Sequence, residues 1–121
     1  MKDELTEQII GAAIEFHQEL GPGLLESIYE NALCHEFELR TIEFRRQQEV
    51  NVFYKGHAIK GQRIDILVDN SVVVELKAIG ANPDFAVAQT LSYLKATQLK
   101  RALLINFGKK RLVDGIKRLS L

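Results

Sequence analysis

The chain has few means of covalent bracing or bulk electrostatic attachment. Cys34 is its only cysteine, which excludes an intramolecular disulfide and a cysteine-built zinc cluster. In its helical, apolar setting that thiol reads as packing rather than a nucleophile. Tryptophan is absent and aromatics are 7% of the residues. Those present follow the core pattern, so none marks a base-stacking platform. Sixteen basic side chains balance sixteen acidic ones, which counts against a partner held through overall positive charge. Basic side chains do cluster locally, at Arg45-Arg46, Lys100-Arg101, Lys109-Lys110-Arg111 and Lys117-Arg118. No apolar run approaches the roughly 18 residues needed to cross a bilayer. The opening MKDELTEQII lacks the uninterrupted apolar stretch of a signal peptide. A cytoplasmic location without membrane contact is the expectation, and the length of 121 residues suits one domain spanning 1–121.

Two amphipathic helices are expected first. Leu5, Ile9, Ala13, Phe16 and Leu20 recur at helical spacing over 3–20. Gly21-Pro22-Gly23 stops that helix. Without a following Gly-Lys-Ser/Thr it is not a phosphate loop. A second helix is predicted from about Leu24 to Leu39, burying Leu25, Ile28, Ala32, Leu33 and Phe37.

From Gln48 the period changes to two. Val50, Val52 and Tyr54 form one side of a strand, and Lys55-Gly56-His57 reads as a turn. Arg63 to Val68 and Val72 to Lys77 are two further strands around Asp69-Asn70-Ser71. The Asn82-Pro83-Asp84 segment leads into a helix over Asp84–Thr97, with Asp84 as its cap. Arg101–Phe107 suits a buried strand, and Lys109–Leu121 is ambiguous between helix and strand. The order α-α-β-β-β-α-β, plus an uncertain C-terminal element, implies an α/β (α+β) mixed sheet flanked by helices.

Apolar patterning sets the register of the central hairpin. A three-residue loop pairs Val68 with Val72, Ile66 with Val74 and Ile64 with Leu76, and so turns every apolar position to one core. It also sets Asp65 opposite Glu75, and Arg63 opposite Lys77. Two facing carboxylates repel at a cost of a few tenths to about 1 kcal/mol. That arrangement calls for a compensating charge, and a hard divalent cation is the natural one. Lys77, on the same face as Glu75, is a second compensator. A solvated salt-bridge network on an exposed sheet face would explain the same spacing.

Further segments carry a resemblance. Gly23-Leu24-Leu25-Glu26-Ser27-Ile28-Tyr29 fits the signature of the GxxExxY proteins, a small branch of the PD-(D/E)XK nuclease-like superfamily. The likeness continues through Tyr54-Lys55-Gly56, Arg63-Ile64-Asp65, Val74-Glu75-Leu76-Lys77-Ala78, Ala88-Gln89 with Tyr93-Leu94, Leu104-Ile105-Asn106-Phe107-Gly108 and Gly115-Ile116-Lys117-Arg118. It implies a restriction-endonuclease-like fold and a metal-dependent nuclease. Asp65, Glu75, the backbone carbonyl of Leu76 and Glu26 would hold Mg2+ or Mn2+, with Lys77 as the catalytic lysine and Gln89 as an added polar group. Where relatives often carry histidine three residues before that glutamine, this chain has Ala86. Nucleic acid, DNA more than RNA, is the implied partner, and a homodimer is one way to supply specificity.

Taken without the resemblance, Glu26 and Tyr29 read as a boundary acid and a core-edge tyrosine. His17, His35 and His57 have no ligand spacing and read as surface or boundary residues. Two other functions fit the same residues: a non-catalytic nucleic-acid- or protein-binding module on the nuclease fold, and a hydrolase of small phosphorylated molecules.

Overall fold

Asp3 accepts a hydrogen bond from the Thr6 N–H at 3.2 Å and so starts α1 (Glu4–Leu20). These and the following contacts come from a computed structural model that describes residues 3–78 and 84–121. Gly21, at φ +70°, ends α1 by donating its N–H to the His17 carbonyl at 2.8 Å. The second helix, α2 (Glu26–Leu39), begins two residues later than the apolar spacing predicts. Leu20, Leu25 and Ile28, expected in the core, are instead exposed, Leu25 by 74%. The buried stripes run through Ile9, Ala12, Ala13 and Phe16 on α1 and through Tyr29, Leu33, Cys34 and Phe37 on α2.

Five strands follow: β1 (Phe44–Tyr54), β2 (His57–Val68), β3 (Val72–Lys77), then, after α3 (Asp84–Thr97), β4 (Arg101–Asn106) and β5 (Ile116–Ser120). They form one sheet in the order β1-β2-β3-β4-β5, antiparallel except for the β3–β4 pair. The parallel pair needs a crossover, and α3 supplies it. Helix α3 has the predicted bounds. Asp84 is its first helical residue, and the Asn82-Pro83 turn lies outside the described residues. The ambiguous tail becomes a single 3-10 turn (Leu112–Gly115) and β5. Gly115 permits this, because a Cβ there would overlap the Asn106 carbonyl oxygen.

Each face of the sheet carries its own core. Helices α1 and α2 cover Ile66, Val68, Val72, Val74, Leu76, Leu103 and Ile105. On the other face, Tyr93 and Leu94 of α3 pack on Val50, Ile64, Leu67, Val73 and Ala102. The predicted hairpin register holds for Val68↔Val72 and Ile66↔Val74, but the pairing stops there. Ile64 therefore does not share a core with Leu76; it is buried on the α3 side. Alternation breaks at Asp65, where β1 also departs from regular geometry. Gln47 lies between the pairs Arg46↔Ile66 and Gln48↔Ile64, and its φ is +51°.

Strands β1 and β2 are longer than the alternation suggests. β1 begins at Phe44 and β2 at His57, with a tight Lys55-Gly56 turn in which both residues have positive φ. Phe53 and Tyr54 do not join the core. His17 is almost wholly buried, against expectation, and its Nε2 lies 3.0 Å from the Phe107 carbonyl. A carbonyl only accepts, so this nitrogen carries the proton.

Candidate active site

Where the β2–β3 ladder ends, two carboxylates take over its hydrogen bonds. The Asp65 N–H donates to Glu75 Oε1 at 2.9 Å, and the Leu76 N–H donates to Asp65 Oδ2 at 2.9 Å. Each acid thus satisfies a backbone donor on the other strand that the opened ladder would have left unpaired. The repulsion expected between the facing acids is thereby partly offset by backbone dipoles. The rest appears as proton affinity. Glu75 is 3% exposed, and burial, then the charge of Asp65, pushes its carboxyl up to about 8. Burial also raises Asp65, against the lowering effect of the Leu76 N–H and Lys77.

Lys77 ends β3 half-buried and favours the charged forms of all three acids, Asp65, Glu75 and Glu26. Its own carbonyl accepts the Phe107 N–H at 2.7 Å, which fixes the strand end to the segment after β4. Glu26 opens α2. Burial raises its carboxyl, Lys77 lowers it, and Asp65 and Glu30 raise it further. Glu26 therefore lies within electrostatic reach of the pair, from the other covering layer.

Tyr29 explains how Glu26 is held. Far from a core-edge position, it is completely buried. Its hydroxyl donates to the Gly21 carbonyl at 2.6 Å and accepts from the Leu24 N–H at 3.1 Å. Its ring stacks on Phe107 with centroids 4.5 Å apart. The Gly-Pro-Gly loop and the start of α2 are thus pinned to the segment that also holds Lys77.

From the opposite layer, α3 brings Tyr93 toward the acids. Burial pushes its hydroxyl up to about 12, with Glu75 and Asp65 adding to the shift. Gln89, one turn earlier, is half-buried, and its side chain makes no hydrogen bond among the described residues. Asp65, Glu75, Leu76 and Lys77 of the expected set lie together at the hairpin's opened end, Glu26 feels the charges of Asp65 and Lys77, and Gln89 lies one turn before Tyr93 on α3.

Sequence reasoning missed Glu30, Arg46 and Gln47. Arg46 donates to Glu30 Oε2 from Nε at 3.1 Å and from Nη2 at 2.8 Å. Gln47 Nε2 donates to Glu30 Oε1 at 2.9 Å. The Gln47 side chain also lowers the Asp65 carboxyl, while the charge of Glu30 raises it. Gln47 therefore acts on both a helix carboxylate and the central acid. The available sequence signal was Glu26 and Glu30 at i, i+4, a like-charge pair on one helix face that needs a cation beside it.

The oxygen-rich donor set suits a hard cation such as Mg2+ or Mn2+. Among the described residues, no three Asp, Glu, His or Cys side chains close on one point. An ion here would keep waters in part of its shell, as Mg2+ commonly does.

A family model described as the PD-(D/E)XK nuclease superfamily matches residues 3–119. No curated protein and no solved structure matches the chain. Among the described residues, no helix is long and apolar enough to cross a membrane. The matched span includes both strands of the hairpin, the Glu75-Leu76-Lys77 tripeptide and all three helices, so the chain belongs to the PD-(D/E)XK nuclease superfamily.

Proposed function

We propose that the protein is a divalent-metal-dependent nuclease that hydrolyses phosphodiesters in nucleic acid, DNA in preference to RNA. The observation that carries this reading is the interlocked Asp65–Glu75 pair at the opened end of the hairpin, with Lys77 beside it. Asp65 and Glu75 would hold Mg2+ or Mn2+, with Glu26 and the Leu76 carbonyl completing the protein's share. When bound, the ion supplies charge stabilisation and acidifies water. Lys77 would donate hydrogen bonds to the attacking water or to a phosphate oxygen, where its fixed charge opposes the negative charge that develops. Asp65, held by the Leu76 N–H, would keep the water aligned. Tyr93, its hydroxyl kept protonated by burial, would wall the site and donate without titrating. Gln89 would contact the substrate from the border. A homodimer, one copy per strand, is one way to supply specificity, and the cytoplasm remains the expected location.

Calorimetric titration of Mg2+ and Mn2+ into wild type and Asp65→Ala, with a nuclease assay on the same samples, tests this. Saturable binding and cleavage, both lost in the variant, are expected. A folded wild type that binds neither ion would overturn the proposal. That no three ligand side chains converge among the described residues favours one other reading, a binding module that keeps the fold without the chemistry. In that case Asp65→Ala and Lys77→Ala would leave nucleic-acid affinity as it is, and no variant would cleave.

A further inference from the structure

Past Asp65, the β1–β2 ribbon leaves the rest of the sheet. Strand β3 pairs with β2 only from Ile66 to Val68, whereas β1 stays paired to β2 out to Tyr54↔His57. Every residue from Val52 to Gly61 is exposed. The arm exposes large apolar side chains, Phe53 by 67%, Tyr54 by 61% and Ile59 by 46%.

The charge of this arm differs from that of the whole chain. Between Glu49 and Asp65 the sequence has Lys55, His57, Lys60 and Arg63 and no acidic residue, although the whole chain is neutral. All four side chains belong to exposed residues. The ribbon is also bent. Between Val50↔Gln62 and Val52↔Ile59, β2 carries one more residue than β1, and Gly61 there has a φ of +125°. Such a bulge strengthens the local twist and re-aims its side chains, here Lys60. At the tip the Lys55 ammonium lies 5.4 Å from the centre of the Tyr54 ring.

We propose that this arm binds duplex DNA by entering the major groove, with Lys55, Lys60 and Arg63 on the flanking phosphates and Phe53 and Tyr54 against base edges. The major groove of B-form DNA, about 12 Å wide and about 8.5 Å deep, admits a two-stranded β-ribbon. The paired rows beyond the bulge, Val52↔Ile59 to Tyr54↔His57, extend roughly 7 Å, and the Lys55-Gly56 turn lengthens the arm further toward the groove floor. The deep, narrow major groove of A-form RNA does not admit such an arm. Asp65 lies eight residues along β2 from His57, roughly 26 Å away, so the arm would grip DNA to one side of the bond presented to the acids. The inference takes the nuclease reading for the position of the substrate, but its test does not depend on cleavage.

The test is the fluorescence anisotropy of a labelled DNA duplex with wild type, Lys55→Glu/Lys60→Glu and Phe53→Ser/Tyr54→Ser in EDTA, across a salt series. Circular dichroism establishes that each variant is folded. The charge-reversed protein is expected to lose at least tenfold in affinity at low salt. Its log–log salt slope should shrink by about 1.8, for two lost phosphate contacts. The aromatic variant should weaken binding with the slope unchanged. Wild-type affinity and slope in the folded charge-reversed protein would overturn the proposal, as would equal retention of an RNA duplex by the wild type. Sedimentation reveals a different occupant: a dimer that the arm variants dissociate, with DNA affinity unaltered, would place a second copy on the ribbon and refute DNA binding there. A wild type that never cleaves with Mg2+ or Mn2+, yet loses duplex binding on the arm substitutions, would sink the nuclease reading and leave this one standing.

Discussion

Glu75 accepts a hydrogen bond from the backbone N–H of Asp65, while Asp65 in turn accepts one from Leu76, the residue after Glu75. The site is therefore part of the sheet's own hydrogen bonding, and its ionisation and the fold's stability are linked.

Glu75 should make the apoprotein less stable as pH rises. Its carboxyl ionises at about 8 in the folded protein, against an ordinary value of 4.5. Between those values the folded state holds more protons than the unfolded one, so stability is greatest on the acid side and falls through the window. The groups facing it are Asp65 on β2, Lys77 on β3 and Tyr93 on α3. Subtracting the urea-denaturation curve of Glu75→Gln from that of the wild type, from pH 4.5 to 8, should give a difference on the order of a few kcal/mol. Parallel curves for the two proteins would refute it. Mg2+ should restore stability on the alkaline side, because a bound cation favours the ionised pair.

Gln47→Ala should weaken Mn2+ binding by about tenfold, the scale for losing a group that orients a metal ligand. The substitution leaves Glu30 Oε1 without its donor and removes a side chain that favours the charged form of Asp65. Calorimetry on the folded variant measures the loss, and an unchanged Kd would mean that the Glu30–Gln47–Asp65 link plays no part in ion binding.

Tyr29→Phe keeps the stack on Phe107 and removes only the hydroxyl. With hydrogen bonds to Gly21 and Leu24 gone, the protein should lose about 1–2 kcal/mol. Activity should fall beyond what that destabilisation accounts for, because Glu26 sits between the two ends of the staple. Thermal melts and assays well below the Tm distinguish the two effects; a lower Tm with full activity would show that the staple is purely structural.

Gly115→Ala should cost about 3 kcal/mol or more. The added Cβ meets the Asn106 carbonyl, a backbone group at the end of β4 that cannot rotate away. Chemical denaturation should show a lower midpoint, and wild-type stability would mean that the β4–β5 connection yields more easily than its packing suggests.

Much of this was legible in the residues. The apolar pattern of β3 and of the adjoining half of β2, around a three-residue loop, set the pairs Val68↔Val72 and Ile66↔Val74, because a slip by one residue turns the apolar side chains to the wrong face. The Gly21-Pro22-Gly23 break, the bounds of α3 and the crossover to β4 followed from turn chemistry and period. Asp65, Glu75 and Lys77 could be placed on one hairpin for the same reason.

Packing between distant segments decided the rest. The ladder opens at Asp65 because two side chains outcompete the backbone there, and alternation carries no record of that choice. Ile64 turns to the α3 face for the same reason. Tyr29 is buried because Phe107, far along the chain, offers it a stacking surface, and Gln47 on β1 comes to act on both Glu30 and Asp65. Tyr54 shares a strand side with Val50 and Val52, yet no described element covers it or Phe53. The sequence by itself determined which residues share a strand, a face and a period, since those are local properties of the backbone. Only the tertiary structure decided which faces are covered and which polar atoms meet, since burial and hydrogen bonding depend on what the rest of the chain brings alongside.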